Sequence, residues 1–230
     1  MNKINKTIAS FSLITLLIVL INSCADKTEF IDEGVLEYNI DYLTTKKEHP
    51  IVNLLPSSMY IKFKKDNTYT LIKGWMGVFS LSYISNNEEK INTTLLKMMN
   101  QKYYFTTNFE DTNFVFDSFD GINLEFTNET KKILGYNCKK VIATCKEPEI
   151  PTFEVYYTNE INIKNSTLNT PFKEIDGVLM EFNIKMSKIP MRLTISKVKS
   201  VNIPDEIFKI PPSYVEVEKK RIQNILDSLI

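Results

Sequence analysis

Alternation of apolar and polar side chains is the feature that most constrains this chain. It runs over residues 34–43 and again, without a break, over residues 178–186. Successive side chains of a strand point to opposite faces of a sheet, so one set in each segment faces a core. The apolar sets are Leu36, Tyr38, Ile40 and Tyr42, then Val178, Met180, Phe182, Ile184 and Met186. Both segments are predicted to be half-buried β-strands.

Shorter segments of the same kind fill most of the remaining chain. Turn-forming pairs such as Asp120-Gly121 separate them, as expected for antiparallel hairpins. The expected strands lie near residues 59–63, 69–73, 79–83, 103–105, 113–116, 122–126, 153–157 and 191–195. The chain is therefore predicted to be mainly β, in an α+β arrangement.

Two segments change to helical spacing. Ile91, Leu95, Met98 and Met99 recur at i, i+4, i+7 and i+8 after an Asn-rich start, which predicts one mid-chain helix. Near the end, Ser213 and Glu216 are spaced as a capping box. One C-terminal helix is predicted there, with an apolar face formed by Ile222, Ile225, Leu226, Leu229 and Ile230.

The first 23 residues predict a secretory signal peptide. Lys3 and Lys6 precede an apolar segment at residues 8–21, which is shorter than the about 20 residues of a membrane span. Its ending, Leu-Ile-Asn-Ser-Cys, resembles the lipobox of bacterial lipoproteins, and that resemblance implies lipidation, with palmitate among the acyl chains, at Cys24. Residues 24–33 are expected to form a lipidated tether. Residues 34–230 are expected to form a single curved-sheet domain.

The charge balance argues against nucleic acid as a partner. The 230-residue chain has 28 basic and 28 acidic residues, and loss of Lys3 and Lys6 with the signal leaves a net charge of −2. Nucleic acids are bound through a basic patch. The membrane, reached through Cys24, is instead the predicted partner.

The sequence offers no convincing catalytic or metal site. The single histidine, His49, lies in a charged loop, whereas a serine triad needs a positioned histidine base. Cys138 and Cys145 are seven residues apart on one expected strand, roughly 23 Å, too far for a disulfide. Asp117 and Asp120 lack the ligand order of an EF-hand loop. We therefore expect no catalytic residue, no metal, no cofactor and no enzyme activity.

Five apolar residues are candidates for the wall of a ligand cavity. Trp75 and Met76 occupy a turn between two glycines, where polar residues are usual. They indicate either an apolar lip at a cavity mouth or side chains folded back on the sheet. Met180, Phe182 and Ile184 belong to the apolar face of the long alternating strand.

Several segments together resemble exported envelope proteins of the GLPGLI type. They are Lys132–Lys140, the stretch around Gly177-Val178-Leu179, and the proline-flanked IPDEIFKIPPSY. The last is also similar to the ending of carriers with the LolA/LolB-like fold. The resemblance implies a strongly curved antiparallel sheet, or incomplete barrel, closed by helices and enclosing an apolar concavity. The strand pattern by itself is equally compatible with a sandwich.

Two functional hypotheses follow. In the first, a lipid-anchored envelope protein binds an apolar ligand, a lipid or acyl chain as in the lipoprotein carriers, or an envelope protein partner. In the second, it is a structural or surface-exposed interaction module with a packed core. The expected location is the outer membrane, facing the periplasm, with surface exposure as the alternative. A cavity lined by apolar residues would favour the first hypothesis.

Overall fold

The structure is a computed structural model that describes residues 31–45, 47, 52, 55–74, 77–116, 121–146, 150–186 and 189–228. The signal peptide and the lipidation predicted at Cys24 lie outside these residues. So do five residues weighed above, namely His49, Trp75, Met76, Asp117 and Asp120.

Twelve strands and one α-helix make up the described fold. The strands are β1 (Glu33–Tyr42), β2 (Ser58–Lys64), β3 (Asn67–Lys73), β4 (Phe79–Asn86), β5 (Ile91–Met98), β6 (Gln101–Asn108), β7 (Asn123–Ile133), β8 (Tyr136–Thr144), β9 (Thr152–Thr158), β10 (Val178–Met186), β11 (Ile189–Ser200) and β12 (Val215–Glu216). The helix is α1 (Lys219–Asp227), and short 3-10 turns span Phe114–Phe116 and Asp205–Phe208. The mainly-β prediction is confirmed. β1 begins one residue before the predicted boundary between tether and domain.

All twelve strands belong to one open sheet. Their order is β12-β6-β5-β4-β3-β2-β1-β11-β10-β9-β8-β7. Strands β1 to β6 form one antiparallel meander and β7 to β11 form another, and the pairing of β1 with β11 joins them. The strand pattern was also compatible with a sandwich, but the structure has one continuous sheet.

The two faces of the sheet are packed differently. We call the face that carries Leu36 and Tyr38 the inner face, and the face that carries Ile84 and Leu95 the outer face. Leu36 and Tyr38 belong to the large core. Ile84 and Leu95 form a smaller cluster with Ile203 and Phe208. The C-terminal segment around Phe208 therefore covers part of the outer face.

The predicted mid-chain helix is wrong, because residues 91–98 form β5. Asn86 does accept hydrogen bonds from the backbone N–H groups of Glu88 and Glu89, both at 3.0 Å, as a helix cap would. The chain then turns back into a hairpin. Leu95 is buried in the outer cluster and its neighbour Leu96 in the inner core, so β5 has two apolar faces and shows no simple alternation.

The predicted C-terminal helix is confirmed, but its start differs. It begins at Lys219, where Glu218 is the N-cap without a side-chain hydrogen bond. The capping box is wrong because Val215 and Glu216 pair in parallel with Tyr103 and Tyr104 of β6. Of the predicted apolar face, Ile222 and Leu226 are buried and Ile225 packs against the core. Leu229 and Ile230 lie outside the described residues.

The strand expected at residues 113–116 does not form. Phe114–Phe116 forms a 3-10 turn instead. The side chain of Asn113 accepts a hydrogen bond from the N–H of Val115 at 3.3 Å. Such local side-chain bonds offer the backbone an alternative to a sheet ladder.

β10 departs from its simple alternation at one point. Its pairing with β9 shifts between Leu179 and Glu181. Leu179 was expected on the polar face, yet it is buried together with Val178 and Met180. A register irregularity of this kind redirects side chains locally.

Candidate binding cavity

A cavity of about 150 Å³ lies against the inner face. Its wall combines side chains from β1 to β5 and from β10 with the connection at residues 163–170. Strands from both meanders therefore meet around one space, which requires the sheet to curve. The cavity is partly open to solvent, and Lys164 and Asn165 are exposed residues of its wall.

The strand register gives the cavity an apolar end and a polar end. Residues paired across neighbouring strands share a face, so each row runs straight across the sheet. The apolar row is Tyr38, Met59, Ile72, Leu81 and Leu96. The next row is Leu36, Ile61, Thr70, Tyr83 and Thr94, and the third contains Thr68, Ser85 and Asn92. On β1 and β2 the third row continues with Gly34 and the buried Phe63. Polarity thus rises over three successive rows on β3 to β5 only.

Aromatic rings close the apolar end. The ring of Phe182 stands edge-on to that of Tyr38, with centroids 6.0 Å apart, and to that of Phe172, at 5.9 Å. Edge-to-face pairs add stability beyond the burial of their area. Phe182 therefore belongs to a packed aromatic cluster as well as to the cavity wall.

Asn169 organises the polar end. Its side-chain NH₂ donates hydrogen bonds to the carbonyl oxygens of Phe109 and Asp111, the second at 3.1 Å. Its side-chain oxygen accepts a bond from the hydroxyl of Ser85 at 3.4 Å. These bonds hold the connection at residues 163–170 against the end of the cavity.

Two buried polar atoms of the described side chains make no hydrogen bond, Tyr83 Oη and Asn92 Oδ1. Tyr83 belongs to the cavity wall. Burial raises the pKa of its hydroxyl, and the negative charge of Asp111 adds to this. The Asn92 NH₂ donates to the carbonyls of Asn108 and Phe109, both at 2.9 Å, and this orientation leaves Oδ1 unpaired. The Tyr83 hydroxyl is thus a buried, protonated and unpaired group on a residue of the cavity wall.

The structure describes three of the five predicted cavity residues. Phe182 and Ile184 line the cavity, whereas Met180 is fully buried in the core and does not belong to the described wall. Sequence reasoning missed Tyr83, Thr70 and the other polar wall residues. Their positions on alternating strands were visible, but only the register brings them together.

The described thiols and acidic groups do not form a cluster of metal ligands. No group of three or more His, Cys, Asp or Glu side chains in the described ranges is placed to hold a metal ion. Cys138 and Cys145 are buried thiols, as the sequence predicted. Cys145 donates a hydrogen bond to the carbonyl of Ile150 at 3.0 Å, and burial raises the pKa of Cys138. Within the same ranges, every helix is too short or too polar to cross a membrane.

Comparison with solved structures supports the fold. One structure of PNGF-II, in a P21 crystal form, matches with a TM-score of 0.52 at 15% identity over 85% of this chain and 33% of that one. A second, in a C2 form, gives 0.49 at 15% identity over 84% and 32%. LprF from Mycobacterium bovis gives 0.27 at 12% identity over 75% and 89%, too low to support any inference. The chain spans about a third of the PNGF-II structures that it matches.

Sequence comparison identifies the family. No curated protein matches the chain significantly. The broad, sheet-rich fold implied by the resemblance above is confirmed, but membership of the GLPGLI group is not. A family model described as "N-glycanase peptide, N-terminal domain" matches residues 76–209, which is 134 of the 230 residues. The chain therefore belongs to the family of N-glycanase N-terminal domains.

Proposed function

We propose that this chain is a lipid-anchored binding protein of the cell envelope that holds an apolar group of a lipid or acyl ligand. The observation that carries the proposal is the cavity of about 150 Å³ on the inner face, with Ile72, Leu81, Phe182 and Ile184 in its wall. Concave, largely apolar sites with a few polar groups are typical of ligand binding.

The cavity volume limits what can be enclosed. A space of about 150 Å³ accepts a benzene-sized guest, whereas pockets for drug-sized ligands measure about 300–1,000 Å³. The enclosed group is therefore small, such as one end of an acyl chain. The remainder of the ligand would extend out of the cavity, past exposed wall residues such as Lys164.

The anchor and location are part of the same proposal. The basic start, apolar segment and lipobox-like ending of residues 1–24 support a signal peptide and acyl chains on Cys24. We propose the outer membrane, facing the periplasm, as the location, with surface exposure as the alternative. The curved-sheet domain at residues 34–230 would then be held close to lipid.

We also propose that the chain binds rather than catalyses. Its family name refers to an N-glycanase, but the chain spans only about a third of the PNGF-II structures. Its single histidine lies in a charged loop. An assay for N-glycan release by the purified chain should show no turnover. Turnover that persists through repurification would overturn this part of the proposal.

A second candidate function is a packed interaction module without a ligand, whose partner is another envelope protein. It is favoured by the density of the core beside the cavity, where Phe63, Phe172, Met180 and Leu193 are all fully buried. In this case the cavity would be a packing defect. Binding measurements distinguish the two functions.

The test is native mass spectrometry of the lipidated protein, purified gently from its own membranes. We expect a noncovalent adduct of lipid mass in addition to the covalent acyl chains. Collisional activation should remove the adduct but leave the covalent chains. Adduct-free protein from several mild detergents would overturn the ligand proposal and favour the interaction module.

A further inference from the structure

We propose that the cavity recognises a neutral hydroxyl group on a small apolar ring or chain, and that Tyr83 is the residue that recognises it. This inference rests on the proposed binding function and specifies its ligand. It depends on where the unpaired polar atoms lie and on the charges around them.

The first step is the unpaired hydroxyl of Tyr83. Nine in ten or more of buried polar groups have a hydrogen-bond partner, so an unpaired one calls for an explanation. Tyr83 lines the cavity, and its Oη is buried without a partner. A guest that reaches this atom gains a hydrogen bond without breaking one inside the protein.

The second step is the position of Asn92. Tyr83 pairs with Thr94 across β4 and β5, and Asn92 precedes Thr94 by two residues. Asn92 is therefore the diagonal neighbour of Tyr83 on the inner face, at a distance that an aromatic side chain spans. Its Oδ1 can only accept a bond, whereas Tyr83 Oη can donate or accept. A group that both donates and accepts, such as a hydroxyl, suits the pair.

The third step excludes a charged head group. The polar side chains of the enclosed wall, including Thr70, Ser85, Thr94 and Asn169, are uncharged. The charged wall residues are Asp66, which is partly exposed, and Lys164, which is exposed. An anion at Tyr83 would be removed from water without a counter-charge and would face the negative charge of Asp111, which is costly. A cation could not accept a hydrogen bond from the Tyr83 hydroxyl. A neutral group avoids both problems.

The size of the cavity sets the scale of the probe. A benzene-sized ring fills about 150 Å³, and the row that contains Ile72 and Leu81 supplies an apolar wall for it. We therefore choose 4-fluorophenol and 4-fluorotoluene as probes. They are nearly the same in size and differ in one hydroxyl against one methyl group.

The experiment measures both affinities by fluorine NMR titration of the full chain in lipid nanodiscs, with empty nanodiscs as the blank. The variants are Tyr83→Phe and, as a matched control, Tyr104→Phe, whose hydroxyl lies 3.5 Å from Glu216 and away from the cavity. We expect the parent chain and Tyr104→Phe to bind 4-fluorophenol about three- to tenfold more tightly than 4-fluorotoluene, the range that one net hydrogen bond supplies. Tyr83→Phe should abolish this preference and keep the affinity for 4-fluorotoluene.

The outcomes separate the two levels of the proposal. Equal affinities in the parent chain, or a preference that survives in Tyr83→Phe, would overturn the role of Tyr83 but leave an apolar site. If the parent chain binds neither probe, the binding function itself is overturned. Removal of an unpaired hydroxyl should not destabilise the fold, so an unchanged or higher melting temperature of Tyr83→Phe also supports the assignment.

Discussion

The hydroxyl of Tyr38 in β1 donates a hydrogen bond to the carbonyl oxygen of Leu179 in β10, at 2.8 Å. The two residues are 141 positions apart, and β11 lies between their strands. The bond therefore reaches across a strand and ties one meander to the other on the inner face. Leu179 adjoins the register irregularity of β10, so this bond fixes the backbone where the ladder is disturbed.

Tyr38→Phe should lower the free energy of unfolding. The ring is 1% exposed, and loss of its hydroxyl leaves the Leu179 carbonyl buried without this donor. We expect a destabilisation of about 1–3 kcal/mol, the usual cost of an unsatisfied buried group. Urea unfolding followed by tryptophan fluorescence measures it. Stability equal to that of the parent chain would contradict the importance of the bond.

Stability should fall in alkaline solution. Burial raises the pKa of Tyr38, Tyr42 and Tyr83 above the ordinary tyrosine value. Above about pH 10 the unfolded chain releases these protons while the folded chain retains them, so unfolding becomes easier as the pH rises. Below about pH 10 these tyrosines are protonated in both the folded and the unfolded chain, so the free energy of unfolding is undiminished. Urea midpoints at pH 8 and pH 11 test this, and Tyr83→Phe should reduce the difference between them.

Phe182→Ala distinguishes a ligand cavity from a packed core. Truncation of a packed Phe costs about 3–5 kcal/mol, but a side chain that borders an existing cavity should cost less. Binding of a fluorescent fatty acid should weaken, because an apolar wall is removed. Phe63→Ala is the control, since Phe63 is fully buried on the inner face. A full loss of stability in Phe182→Ala, together with no binding by the parent chain, would contradict the carrier hypothesis.

Gly34→Ala should destabilise the junction of the two meanders. A Cβ atom on Gly34 would clash with the carbonyl oxygen of Lys199 on β11. The strands must separate to admit it, and overpacking of this kind costs about 1–3 kcal/mol. Thermal unfolding of the purified variant measures the effect. An unchanged midpoint would show that β1 and β11 can move apart without loss.

Cys24→Ala should abolish incorporation of radioactive palmitate. Cys24 directly follows the apolar segment of the signal peptide, where lipoproteins carry their acyl chains. More than one acyl chain is needed for firm membrane attachment, so the variant should also appear in the soluble fraction. Undiminished labelling of Cys24→Ala would refute the assignment.

The sequence predicts strands well where one face is buried. The alternation around Tyr38 correctly identified β1, because its polar side chains face away from the core. It failed at Leu95 and Leu96, because the C-terminal segment covers the outer face there and both neighbours are buried. Because apolar residues face both sides of β5, their spacing happened to resemble that of a helix. No local pattern reveals which distant segment will cover a strand.

The site is less predictable than the fold for a related reason. Phe182 and Ile184 could be nominated because they stand on a conspicuous apolar face. Tyr83, Thr70 and Thr94 meet only through the register of three strands, and register depends on the turns that connect them. Asn169 comes from a connection that no periodic pattern describes. A three-dimensional structure is required to identify polar cavity walls of this type.

The pairing of β1 with β11 has a consequence for how the chain folds. Tyr38 and its partner Ile195 are separated by 156 residues, whereas most other pairs are neighbouring hairpins. Each meander can assemble early from local contacts, but closing such a long loop is entropically expensive and slow. Until it closes, the edges of β1 and β11 are both open to pairing with other chains. We therefore expect a late, rate-limiting union of two preformed halves, and aggregation when it is delayed.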